Sequence, residues 1–180
     1  FQMNTGMARM GFPCVGSWVT YGLGTGNRNL PGFIVMYDSR GRGTPKSRAS
    51  AWGSAFLPGV YQGTPVVSQD TPIDNLTRPG LLTDSMQRRQ LGLITRLNRQ
   101  HQRRLPGRGE LEARIRSFEL AYRMQMAAPE ALDLSQETLS TRTLYGLDDP
   151  QCGHFGRQAL MARRLVERGV RFVQLYSLSL

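Results

Sequence analysis

The run Phe33-Ile34-Val35-Met36-Tyr37, bounded by Leu30-Pro31-Gly32 before and Asp38 after, leaves this chain few architectures. β-Branched and aromatic residues favour extended backbone, and hydrophobicity that is continuous rather than alternating predicts a strand buried on both faces. Strands of that kind belong to parallel sheets covered by helices. The C-terminal stretch carries the same signal. A helical pattern there, with Phe155, Ala159, Ala162, Leu165 and Val166 predicted to face inward, stops at Gly169, and the strand-like Val170 to Tyr176 follows at once. Helix, glycine, strand is one half of a parallel-sheet unit. The predicted fold class is therefore α/β: part of a mostly parallel sheet flanked by helices, with a long irregular excursion and an antiparallel helix pair.

With 180 residues, the chain has room for one domain or part of one. Residues 1–37 hold a short helix, with Pro13 in its first turn and Gly22 or Gly24 as its stop, and then the first strand. Residues 38–83 show no sustained period and many turn formers, yet Trp52, Phe56, Leu57, Val60 and Tyr61 predict an ordered excursion packed at the sheet's rim. Residues 84–128 read as two helices. Asp84 and Gln87 have capping-box spacing, Met86, Leu93, Ile94 and Leu97 form an apolar stripe, and Pro106-Gly107 separates this helix from the next. The second has Leu111, Ile115, Phe118 and Tyr122 on one face and should stop before Pro129. Residues 129–180 contain a short helix capped by Ser135 and ended by Gly146, then the final helix and strand.

The net charge of +10 points first to polyanions, because clustered cations bind them by releasing counterions. Of the 23 basic residues only Lys46 is a lysine, a skew that GC-rich coding produces without functional demand. The first helix of the pair concentrates Arg88, Arg89, Arg96, Arg99, Arg103 and Arg104, and Arg96, Arg99 and Arg103 are the candidate polyanion contacts. No interleaved aromatics accompany them for base stacking, so nucleic acid is a poor fit. Arg40-Gly41-Arg42-Gly43 is too short for an RNA-binding tract, and Asn75-Leu76-Thr77 is a bare glycosylation pattern. These residues predict neither a signal peptide nor a membrane span.

Candidate catalytic chemistry is sparse. Gly22, Gly24 and Gly26 follow a helix and precede a strand, the reverse of a phosphate loop. Asp148-Asp149 precedes Pro150 and a helix start, where carboxylates serve as caps. His101 and His154 lack neighbours at metal-ligand spacing, and no serine sits in a nucleophile elbow. Cys14 and Cys152 read as free thiols, buried or half-buried. No catalytic residue and no metal ligand is assigned within the chain.

Several stretches nonetheless resemble one family: FQMNTG at 1–6, GFPCVGSWVTYGLGTGNRNLPGFIVM at 11–36, FLPGVYQGTP at 56–65, ELAYRMQMAAPEALDLS at 119–135, LYGLDDP at 144–150 and FGRQALMARRLVERGVRFVQLYS at 155–177. They are similar to the bacterial proteins grouped as domain of unknown function 1501, which look like sulfatases of the alkaline-phosphatase-like superfamily. That resemblance implies a metal-dependent hydrolase of sulfate or phosphate esters, exported or periplasmic, with divalent cations stabilising the transferred group. It further implies that the chain is an internal fragment of one such domain, partnered by flanking parts that bring the nucleophile and the metal ligands. On this expectation the final strand should run into Gly-Gly-Trp-Asp, where Leu178-Ser179-Leu180 stands, and Gly26 replaces a glutamate. Asn4 and Thr5, nearest the expected nucleophile segment, and Trp18 and Trp52 are the candidate substrate-proximal residues. Core packing is the plainer reading of both tryptophans.

Overall fold

A computed structural model describes residues 2–38, 45, 47–68, 83–104 and 109–177. In chain order the elements are helix α1 (Gln2–Thr5), helix α2 (Val15–Leu23), strand β1 (Phe33–Asp38), strand β2 (Thr64–Ser68), helices α3 (Asp84–Arg104), α4 (Gly109–Leu132), α5 (Leu139–Leu144) and α6 (Gly153–Glu167), and strand β3 (Phe172–Tyr176). Two 3-10 turns, Arg48–Ala51 and Gly59–Tyr61, lie between β1 and β2.

The sheet is three-stranded and parallel in the order β2-β1-β3, with Val35 of β1 opposite Pro65 on one side and Gln174 on the other. The central position of β1 explains its unbroken hydrophobicity, since residues on both of its faces are covered. Ile34 and Met36 point into a core made with Val66, Met124, Ala128, Leu160, Met161 and Leu165, which come from β2, α4 and α6. Phe33 and Val35 point the other way, to Cys14, Ala51 and Trp52. The Val, Leu, Ile, Met and Phe side chains among these each contribute about 1.5–3 kcal/mol when fully buried. Gly16 is required at the second face, because a Cβ there would stand 2.5 Å from the Phe33 ring.

Several expectations are corrected. The excursion contains a strand, β2, which Pro65 hides in the sequence; proline lacks a ladder donor but is accepted on an edge strand. Helix α3 is capped by Thr83, whose hydroxyl accepts from the Met86 N–H at 3.3 Å, while the Gln87 amide reaches across to Gln125 at 2.8 Å instead of folding back. Helix α4 runs through Pro129 to Leu132. An interior proline costs about 3 kcal/mol, but here Ala128, Ala131 and Leu132 are buried beyond the break and Arg164 caps the last turn. Helix α5 is capped by Thr138, whose hydroxyl accepts from Thr141 N–H, and Ser135 instead closes a turn on Asp133. In α6, Leu165 is buried as expected, but Phe155 and Val166 are exposed, and Leu160 and Met161 do the packing. Cys152 is exposed and Cys14 buried, both as free thiols. The Gly24 and Gly169 helix stops have φ of 63° and 87°, in the left-handed region that glycine tolerates. Arg40 to Gly43, Lys46, Asn75 to Thr77, Pro106-Gly107 and Leu178 to Leu180, together with the Leu111 side chain, lie outside what is described.

Candidate functional site

In an open parallel sheet, ligands bind beyond the carboxyl ends of the strands. Near those ends two tyrosines stand in register, Tyr37, one residue before the end of β1, opposite Tyr176, the last residue of β3. The two-residue period sends both side chains to the face that holds Trp52. Trp52 stacks on Tyr37 with ring centroids 5.9 Å apart and meets Tyr176 at 5.9 Å, tilted by 52°. Trp52 is itself pinned by its neighbours: its carbonyl accepts from Gly63 N–H at 3.0 Å, and the Gly53 carbonyl accepts from Cys14 N–H at 3.2 Å and from the Ser17 hydroxyl at 3.3 Å. The irregular excursion is thus fastened between the start of α2 and the start of β2.

Above the rings lies a small polar node. The Tyr176 hydroxyl accepts from the Asn4 amide at 2.6 Å and from Gln174 Nε2 at 2.9 Å. A phenol oxygen that accepts twice keeps its own proton for an outward partner. Gln174 Oε1 is buried with no hydrogen-bond partner. Turning that amide over places Oε1 on the tyrosine proton and orphans Nε2, so one polar group awaits a partner in either orientation. Burial pushes the Tyr176 hydroxyl above its ordinary pKa, the Asn4 bond pulls it back, and the Cys14 thiol adds a smaller upward push.

Of the four candidate residues, the structure brings Asn4 and Trp52 to one place, both against Tyr176. Thr5 is half-buried, and its hydroxyl donates to the Met7 carbonyl at 3.1 Å and accepts from Met7 N–H in the turn after α1. Trp18 stands elsewhere, 46% exposed in an edge-to-face array with Phe56 and Tyr21. Arg96, Arg99 and Arg103 are exposed on α3, away from the sheet. Tyr37, Gln174 and Tyr176 are site residues that sequence reasoning passed over. The signal was there, since both strand motifs, FIVMY and VRFVQLY, end on a tyrosine.

The described donors of this node are not the ones a divalent cation prefers. Asn4, Gln174, Tyr37, Tyr176 and Cys14 supply no carboxylate or imidazole, and among the described residues no cluster of three His, Cys, Asp or Glu could hold a metal. Among the described residues, too, no helix is long and apolar enough to cross a membrane.

Fold and node together define an α/β chain whose parallel strands end on an amide–phenol cluster over a tryptophan. The chain belongs to the family described as protein of unknown function (DUF1501), whose sequence model matches residues 1–179. No curated protein and no solved structure matches it.

Proposed function

We propose that the chain forms the framework and one substrate-facing wall of a sulfatase-like hydrolase of sulfate or phosphate esters. The observation that carries the reading is the Asn4–Tyr176 bond at the carboxyl ends of the strands, which leaves an amide and a phenol as neutral donors where an ester's oxygens would lie. The family resemblance supports the same reading and adds export from a bacterial cell and a divalent metal held by other parts of the domain. On this reading the chain's own part is to bind and orient the ester through the Asn4–Tyr176 pair.

The test is a titration of the chain with 4-nitrophenyl sulfate and 4-nitrophenyl phosphate, followed by amide resonances. Signals from Asn4, Gln174 and Tyr176 should shift, and Asn4→Ala or Tyr176→Phe should weaken binding about tenfold, the worth of one good hydrogen bond. Unshifted signals at all three positions would sink the proposal.

A second reading draws on the exposure of Arg96, Arg99 and Arg103, spaced three and four residues apart on α3. They would engage a polyanion, a sulfated polysaccharide or, less suited for want of stacking rings, a nucleic acid. Heparin affinity should then fall steeply with salt and lose about one unit of salt slope for each arginine neutralised.

A further inference from the structure

Helix α3 is turned away from its partner. An amphipathic surface helix ordinarily buries its apolar stripe against the protein. Here the half-buried residues along the seam with α4 are Gln87, Leu91, Thr95, Asn98 and Gln102, mostly polar, with the Gln87–Gln125 bond among the contacts. Apart from Leu91, the apolar residues point outward. Met86, Leu93 and Leu97, at spacings of seven and four, are 50%, 50% and 55% exposed. Ile94 and Phe118 line an interhelical groove of about 340 Å³ and are exposed as well, so the apolar surface extends from α3 onto α4.

One flank of that stripe is cationic. Arg89, Arg96 and Arg103 follow one another every seven residues, nearly along the helix axis, with Arg99 beside them, and all four are exposed. Helix α3 holds six arginines against one acidic residue, Asp84 at its start, and Glu119 of α4 also lines the groove. The partner of this face must therefore be apolar and anionic at once. A nucleic acid or sulfated polysaccharide offers charge with no apolar counterpart. A second copy offers the apolar stripe but no anionic group for the arginines, and in an antiparallel pairing across a two-fold axis it sets one arginine row near another. An acidic helix offers both, yet the interhelical groove that would seat it is lined by Ile94 and Phe118 and leaves Met86, Leu93 and Leu97 outside it, on the outer ridge of α3. A bilayer surface needs none, because acyl chains close around a ridge while arginines extend to the headgroups.

We infer that α3, with Phe118 of α4, docks the protein in the plane of an anionic lipid surface. The apolar stripe enters the headgroup boundary and the arginines meet lipid phosphates. This proposal is independent of the ester-binding site at the strand ends.

The test is cosedimentation of the whole chain with phosphatidylcholine vesicles, with and without phosphatidylglycerol, together with fluorescence of a Leu93→Trp variant. Binding should be at least about a hundredfold tighter to the anionic vesicles. The emission of the introduced indole, read as the difference between the variant and the parent, should shift to the blue only with them. Leu93→Ser/Leu97→Ser, which changes exposed positions and should leave the circular dichroism intact, should abolish vesicle binding and spare heparin binding. Vesicle binding that survives this double substitution would mean adsorption by charge alone and would overturn the proposal. So would absence of vesicle binding, capture of a synthetic acidic amphipathic helix in preference to vesicles, or a dimer that the same substitution dissolves.

Discussion

The Asn4 amide donates to the Tyr176 hydroxyl across 172 positions of sequence, at 2.6 Å, and so ties the first helix to the end of the last strand. Tyr176 is thereby held by opposing influences, with burial raising its pKa and the Asn4 bond lowering it. Removing the Asn4 amide deletes the lowering influence. Asn4→Ala should therefore move the Tyr176 titration further upward, read as the phenolate absorbance lost between the parent and its Tyr176→Phe variant. The sign for stability follows. The folded pKa lies above the ordinary value of 10.0, so this contribution is present below pH 10 and is lost as pH rises through the folded value. A downward shift in the Asn4→Ala variant would show that the bond does not stabilise the phenolate.

Arg164 does for α4 what its sequence does not. Its Nε donates to the Ala131 carbonyl at 3.0 Å, one terminal nitrogen donates to the Glu130 carbonyl at 2.9 Å, and the other meets the Glu137 carboxylate. The side chain is buried, so its removal leaves two helix-end carbonyls and one carboxylate without a partner. Arg164→Ala should cost about 3–5 kcal/mol by urea denaturation. Glu137→Ala should cost less, because the two carbonyls keep their donor. Equal losses would show that the ion pair, and not the cap, carries the contribution.

Gly156 marks where α6 meets the turn after α5. A Cβ at this position would sit 1.9 Å from the Tyr145 carbonyl oxygen, and backbone cannot swing aside as a side chain does. Gly156→Ala should destabilise by at least about 1–3 kcal/mol, although alanine is the better helix former by about 1 kcal/mol. A thermal melt at or above the parent's would show that the helix shifts freely on the turn.

Much of the fold was legible in the sequence because its central strand is buried on both faces and so carries no alternation. Phe33 to Met36 pointed to the parallel sheet, and Gly169 before β3 pointed to its second strand. What was not legible depended on tertiary contacts. Pro65 disguised β2 because edge position is a property of the sheet rather than of the segment. Pro129 looked like a stop because the arginine that caps the turn beyond it lies at position 164. The apolar stripe of α3 was visible, but periodicity does not say which way a stripe faces. The same limit applied to the site. Asn4 and Trp52 stood out within or beside the stretches that carry the family resemblance, while Tyr37 and Tyr176 became a pair only when the register set them side by side.

Asp149 and Asp133 make the acid limb of stability predictable. Asp149 accepts from the Gln151 and Cys152 N–H groups at 2.7 and 3.2 Å, and Asp133 accepts from Ser135 N–H at 2.9 Å. Both carboxyls lie below their ordinary pKa of 3.8, Asp149 chiefly through the Gln151 backbone bond and Asp133 chiefly through Ser135. A depressed folded value means that the contribution is complete above the ordinary pKa and disappears as pH falls through the folded one. Stability should therefore decline below pH 3.8, with protons taken up on unfolding. Asp149→Asn keeps an acceptor oxygen for the two N–H groups but cannot titrate. Its denaturation midpoint should vary less with pH over that range than the parent's, and an undiminished slope would place the titrating groups elsewhere in the chain.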